Sequence, residues 1–140
     1  MKRDPRLRLL SSDHHRALVM ARKMDKAGRE EVIDPAILEG IKAFCRDELQ
    51  PHFAQEERFL LPALERHGEH KLVEQTLHEH AQMVELMRRL EERDALRQLA
   101  QLLKQHVRFE EQKLFEVSQQ KLGDADLEVV AAGVVSQPPV

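Results

Sequence analysis

Apolar side chains recur along this chain at the three- and four-residue spacing of helices that each bury one stripe. Leu10, Ala17, Leu18, Ala21 and Met24 form the first stripe, with His14 inside it and His15 off it. Ser11 or Ser12 is placed to cap that helix, which should run to about Gly28, and Leu7, Leu9 and Leu10 of the basic lead-in are placed to pack on the bundle. Asp34-Pro35 opens a second helix, an acidic cap before a proline at the first helical position, and Gly68 closes it after about His67. Pro51 and Pro62 each remove a backbone hydrogen bond, so the helix is expected to kink, with two segments meeting near Pro51.

A third helix is expected from about Glu69 to Glu92, burying Val73, Leu77, His80, Val84, Met87 and Leu90. Asp94 caps a fourth, whose inner row is Leu96, Leu99, Leu103, His106, Glu110, Leu114 and Val117 and which ends at Gly123. The remaining stretch should make one short helical turn around Leu127 to Ala131 and then a loose tail. The chain thus reads as all-α and as one domain over 1–140, with the helices in about 11–122 and a C-terminal tail over 124–140.

Composition agrees. Hydrophobic residues make up 41% and charged ones 34%, with only five glycines, a balance suited to amphipathic helices. The net charge of −3 comes from interleaved acids and bases, so no basic stripe for nucleic acid is present. No apolar run approaches the roughly 20 residues of a membrane helix, and the first residues lack the apolar stretch of a signal peptide, so a cytoplasmic protein with no membrane partner is expected. Cys45 is the single cysteine, in phase with Ile41 and Leu49, and reads as a small core side chain.

The chemistry lies in a repeat. His52 stands four residues before Glu56, and His106 four residues before Glu110, with a second acid directly after each, Glu57 and Glu111. Residues four apart share a helix face, so each pair is a two-ligand metal edge. DHHRALVM from Asp13 aligns likewise with EHAQMVEL from Glu79, acid on acid and His14 on His80. Two helical hairpins related by an approximate two-fold follow, each adding one lone histidine and one His/Glu pair. Four imidazoles and two carboxylates in apolar stripes would be costly to bury without partners, and a metal removes that cost. Imidazole with carboxylate suits iron, manganese or zinc, and bridging carboxylates from two helices suit a pair of metals.

No Glu or Asp is followed by His three residues later, which disfavours the ferritin-like di-iron pattern. The pieces SSDHHRAL, HFAQEERFLLP, HEHAQMVELM and HVRFEEQKLF, in that order over residues 10 to about 118, resemble the hemerythrin-like, or HHE cation-binding, domain. The resemblance implies an up-down four-helix bundle holding two iron ions (Fe2+/Fe3+), oxo- or hydroxo-bridged. His14, His52, His80 and His106 would be terminal ligands and Glu56 and Glu110 the bridges. It also implies dioxygen, or another small diatomic or peroxide ligand, as the partner. The chain departs from oxygen carriers one turn before His80, where Thr76 replaces a histidine. Two octahedral irons then keep about two open positions, which favours oxidation or sensing over stable oxygen storage.

Each residue also has a plainer reading. Any one His/Glu pair alone is more often a solvated helix pair, and His14 or His80 alone could be a cap or a core histidine. His15 competes with His14, His78 with His80, and Glu111 with Glu110, while Glu48 could add a carboxylate one turn before His52. His67 and His70 read as helix-end or solvent residues, the methionines as core, and Phe44, Phe53, Phe59, Phe109 and Phe115 as walls of the site. Three functions remain open: a protein that binds or senses dioxygen, a di-iron redox enzyme acting on peroxide or nitric oxide, and a metal-stabilised regulatory binding module. No catalytic residue apart from the metal ligands stands out, and oligomeric state is not legible.

Overall fold

The computed structural model describes residues 2–136, with side chains through residue 134. The chain enters through a 3-10 turn, Pro5–Leu7, capped by Asp4, whose Oδ1 accepts the Arg6 N–H at 2.8 Å. That turn runs directly into α1, Arg8–Arg29. The cap therefore lies upstream of Ser11 and Ser12, which sit inside α1 with their hydroxyls donating to Glu111 and to the Leu9 carbonyl. Leu7 and Leu10 are buried, whereas Leu9 faces solvent.

Asp34 caps α2, residues 35–66, by accepting the Ala36 N–H at 2.8 Å. The helix does not divide at Pro51. Two π-turns, Cys45–Leu49 and Glu56–Leu60, carry it past Pro51 and Pro62. A proline has no N–H for the carbonyl four residues back, and the preceding residue compensates: Gln50 N–H bonds to Cys45 O, and Leu61 N–H to Glu56 O, each five residues back. A turn in which Gly68 takes φ +84° then leads to α3, His70–Met87.

The buried stripe of α3 is Val73, Thr76, His80, Met83 and Leu86, and the expected Leu77 is 43% exposed. Leu18 of α1 is also exposed. Residues 93–121 form α4, again with a π-turn, Glu110–Leu114, although no proline follows it. The final helix, α5, is Asp124–Ser136, where a single turn over Leu127 to Ala131 was expected. Buried Leu127 and Val130 hold it to the bundle, as does His67, whose Nε2 lies 2.9 Å from Asp126. Residues 137–140 of the expected loose tail lie outside the described residues.

Two apolar clusters result. Met20, Met24, Ile41, Phe44, Leu86, Leu96 and Leu99 belong to one; Leu10, Leu60, Leu64, Leu114, Phe115 and Leu127 belong to the other. On α1, α3 and α4 the chain passes from one cluster to the other through His14, His80, or His106 and Glu110, so polar side chains occupy the layer between two apolar ones. Among the described residues no helix is long and apolar enough to cross a membrane.

Candidate metal centre

In α2 and α4 the His/Glu pairs lie on regular α-turns: Glu56 N–H bonds to His52 O, and Glu110 N–H to His106 O. The π-turn begins at each glutamate. Both carboxylates therefore point inward from the same helix face as their histidines, and both are 0% exposed. His14 and His80 complete the set from α1 and α3, so the six residues singled out by the repeat come together.

They form two half-sites. His14, His52, Glu56 and Glu110 supply donor atoms within 4.8 Å of one another, and so do Glu56, His80, His106 and Glu110. The glutamates divide their oxygens between these groups. Glu110 Oε1 lies 2.8 Å from His14 Nε2 and 3.7 Å from His52 Nε2, while its Oε2 lies 3.0 Å from His106 Nε2 and 3.9 Å from His80 Nε2. Glu56 sends Oε2 toward His52 Nε2 at 3.3 Å and Oε1 toward His80 Nε2 at 3.1 Å. Each carboxylate thus presents one oxygen to each half-site.

All four imidazoles turn Nε2 inward and Nδ1 outward, and every Nδ1 meets a second carboxylate. The distances are 2.9 Å from His52 to Asp13, 2.7 Å from His80 to Glu57, 2.7 Å from His106 to Glu79 and 2.8 Å from His14 to Glu111. A carboxylate only accepts, so each Nδ1 carries the proton and donates, which leaves Nε2 as the inward donor atom when the ring is neutral. The connections run in a circle: α1 orients α2, α2 orients α3, α3 orients α4, and α4 orients α1. They also obey the two-fold, since Asp13 to His52 repeats as Glu79 to His106 and Glu57 to His80 as Glu111 to His14.

Reading the sequence for ligands missed this outer ring. Its signal was an acid adjacent to a ligand in all four helices, Asp13-His14, Glu56-Glu57, Glu79-His80 and Glu110-Glu111. Glu111, the rival to Glu110, belongs to this ring and also takes the Ser11 hydroxyl at 2.8 Å. His15 and His78 are exposed, and Glu48 pairs with Arg16 at 3.2 Å. Thr76 is buried with its hydroxyl donating to Leu72 O at 2.7 Å. Phe53 stacks on His80 with ring centroids 4.0 Å apart, and Phe115 stacks on His14 at 5.4 Å. Phe109 lies beside His106. Phe59, expected as a wall, instead packs beneath Gly133 of α5.

Without a metal the cluster holds itself together as ion pairs. Burial pulls the His106 pKa down, but the adjacent Glu110 carboxylate and the bond to Glu79 outweigh it and raise the group to about 10. Burial likewise opposes charge on His14 and His52, and neighbouring carboxylates raise both, His52 well above its ordinary value. Burial favours the neutral form of Glu110, yet His106, His14 and His52 hold its carboxyl well below the usual range. Even so, His52 Nε2, Glu56 Oε2, His106 Nε2 and Glu110 Oε2 are buried with no hydrogen-bond partner. Four such atoms directed into one centre are the arrangement a cation would complete.

A helical bundle with this donor set is a cation-binding protein in design. The chain belongs to the hemerythrin HHE cation-binding domain family, whose model matches residues 6–118. No curated protein and no solved structure matches the chain.

Proposed function

We propose that this is a non-haem di-iron protein that binds or senses dioxygen or a related small ligand at the centre of the bundle. The observation carrying this reading is the division of each buried glutamate's oxygens between two half-sites, which suits two metals held close together rather than one. Two nitrogens and two oxygens per ion suit iron, with zinc and manganese as competitors. Four protein donors are fewer than the roughly six of octahedral iron, so each ion keeps room for an outside ligand. Bound iron would supply reversible one-electron chemistry and affinity for small oxygen ligands. The protein holds the ring planes through Asp13, Glu57, Glu79 and Glu111, and shields the centre with Phe53 and Phe115.

Elemental analysis of the purified protein should return about two irons per chain. With neither Tyr nor Trp in the sequence, iron charge-transfer bands should stand clear in the near-ultraviolet. One metal per chain, or zinc alone after growth in iron, would reject the reading.

A second reading, a redox enzyme consuming peroxide or nitric oxide, is favoured by a cleft that reaches His14, His52 and His106 from the surface. Sustained turnover of peroxide that disappears in Glu56→Ala supports the enzyme. A single stoichiometric reaction followed by inactivity supports the sensor.

A further inference from the structure

The cleft beside the centre is larger than a diatomic ligand needs. It is lined by residues of α1, α2 and α4, has a volume of about 290 Å³, and includes His14, His52 and His106 in its lining. A water molecule occupies about 30 Å³ of liquid, and pockets for organic ligands begin near 300 Å³, so the cleft stands at the lower end of that class. Its walls are mainly apolar, Phe44, Leu49, Phe53, Leu103 and Val107, with Gln55 the one uncharged polar side chain besides the histidines.

The charged groups at its rim are already matched. Asp13 takes His52 Nδ1, Glu48 takes Arg16 at 3.2 Å, and Asp47 takes Arg46 at 2.8 Å. A charged ligand entering here would shed water and find its counter-charge engaged elsewhere, which is costly in an apolar site. A neutral ligand meets no such cost. Its buried polar lining is His14, His52 and His106, an imidazole floor where a polar atom at one end of the ligand is favoured over an apolar one.

We propose that this cleft binds an uncharged, largely apolar organic molecule of about the size of a substituted phenol, its single polar end directed at the imidazole floor. The inference deepens the di-iron reading by naming a ligand class for the same site, and rests on that reading only for what the bound molecule then meets.

The test uses the full chain, metal-free and iron-loaded, with 4-methylphenol as probe and methyl resonances as readout. The resonances of Leu49, Leu103 and Val107 should shift on titration of the metal-free protein, and those of Leu64 and Val130 in the opposite cluster should not. 4-Methylbenzoate and 4-methylbenzylamine should bind at least roughly tenfold more weakly. Glu48→Gln, at the solvent-facing rim, releases Arg16 and should improve 4-methylbenzoate binding selectively. Ala17→Leu, which fills the cleft, should weaken 4-methylphenol roughly tenfold and leave azide binding to the iron-loaded protein unchanged. Unshifted cleft methyls, or equal binding of the charged analogues, overturn the inference even where azide reports a normal iron centre. Shifted methyls in a protein that takes up no iron would uphold the cleft and reject the di-iron reading instead. Because the unsubstituted protein carries the methyl map, misfolding of Ala17→Leu leaves the result decidable.

Discussion

Glu111 shows how much rests on side chains that would touch no metal. It accepts His14 Nδ1–H and the Ser11 hydroxyl and lies 3.3 Å from Arg3, so one half-exposed carboxylate fixes a buried ring, ties α4 to α1 and anchors the lead-in. Outer partners of this kind set ring orientation and basicity, and their loss commonly weakens metal binding by 10–100-fold. Glu111→Gln, Glu57→Gln, Glu79→Gln and Asp13→Asn should each lower affinity by roughly that factor in chelator competition, with the helical content of the metal-free protein retained. At this scale the inner six residues were legible because residues four apart share a helix face and the pattern occurs twice. The outer four were not, since sequence adjacency does not tell which neighbouring helix a side chain will meet. The repeat already favours Glu110 over Glu111, and the turn supplies the physical reason: the regular bond from Glu110 N–H to His106 O puts Glu110, one turn on, beside His106.

Helices supply the directions in which these side chains point. The π-turns at Glu56–Leu60 and Glu110–Leu114 occupy equivalent places in the two hairpins, yet only the first precedes a proline. Proline alone is therefore not their common cause, and π-turns are frequent at functional sites. Most helix starts and ends read from the sequence were close, but α3 stops at Met87 rather than at the expected Glu92, and its stripe was displaced because Leu77 is the more apolar neighbour of Thr76. The inner seam instead runs through Val73, Thr76, His80 and Met83. The length of α5 was missed for a related reason: its residues are apolar nearly all round and present no stripe to read. Its fit is close, since a Cβ on Gly133 would approach the Phe59 ring to 2.4 Å. Replacing glycine by alanine inside a helix ordinarily stabilises it by about 1 kcal/mol. Gly133→Ala should do the reverse, costing about 1–3 kcal/mol in urea unfolding as α5 is pushed off the bundle.

For the molecule as a whole, the buried ion pairs set a pH profile that metal should erase. His14, His52 and His106 have raised values in the metal-free fold, so their stabilising contribution is complete below about 6.5, the unfolded value, and fades as pH rises through the folded one, about 10 for His106. Glu110 is lowered, so its contribution is present above its ordinary 4.5 and fades as pH falls. The metal-free protein should be most stable between roughly pH 4.5 and 6.5, with a urea midpoint that declines from pH 7 to 10. A metal displaces the imidazole protons, so loading should release acid and flatten that alkaline decline. An alkaline profile identical with and without metal would show that the histidines are not titrating as a buried group.

The circle of outer acids has a further corollary for ancestry. Two of its four links join helices within one hairpin and two cross to the other, and the crossing pair is as short as the internal pair. A polypeptide of half this length, meeting an identical copy of itself across a symmetry axis, would therefore supply every donor and every orienting acid, whereas the same half kept solitary would retain the link from Asp13 to His52 and leave His14 without its acid.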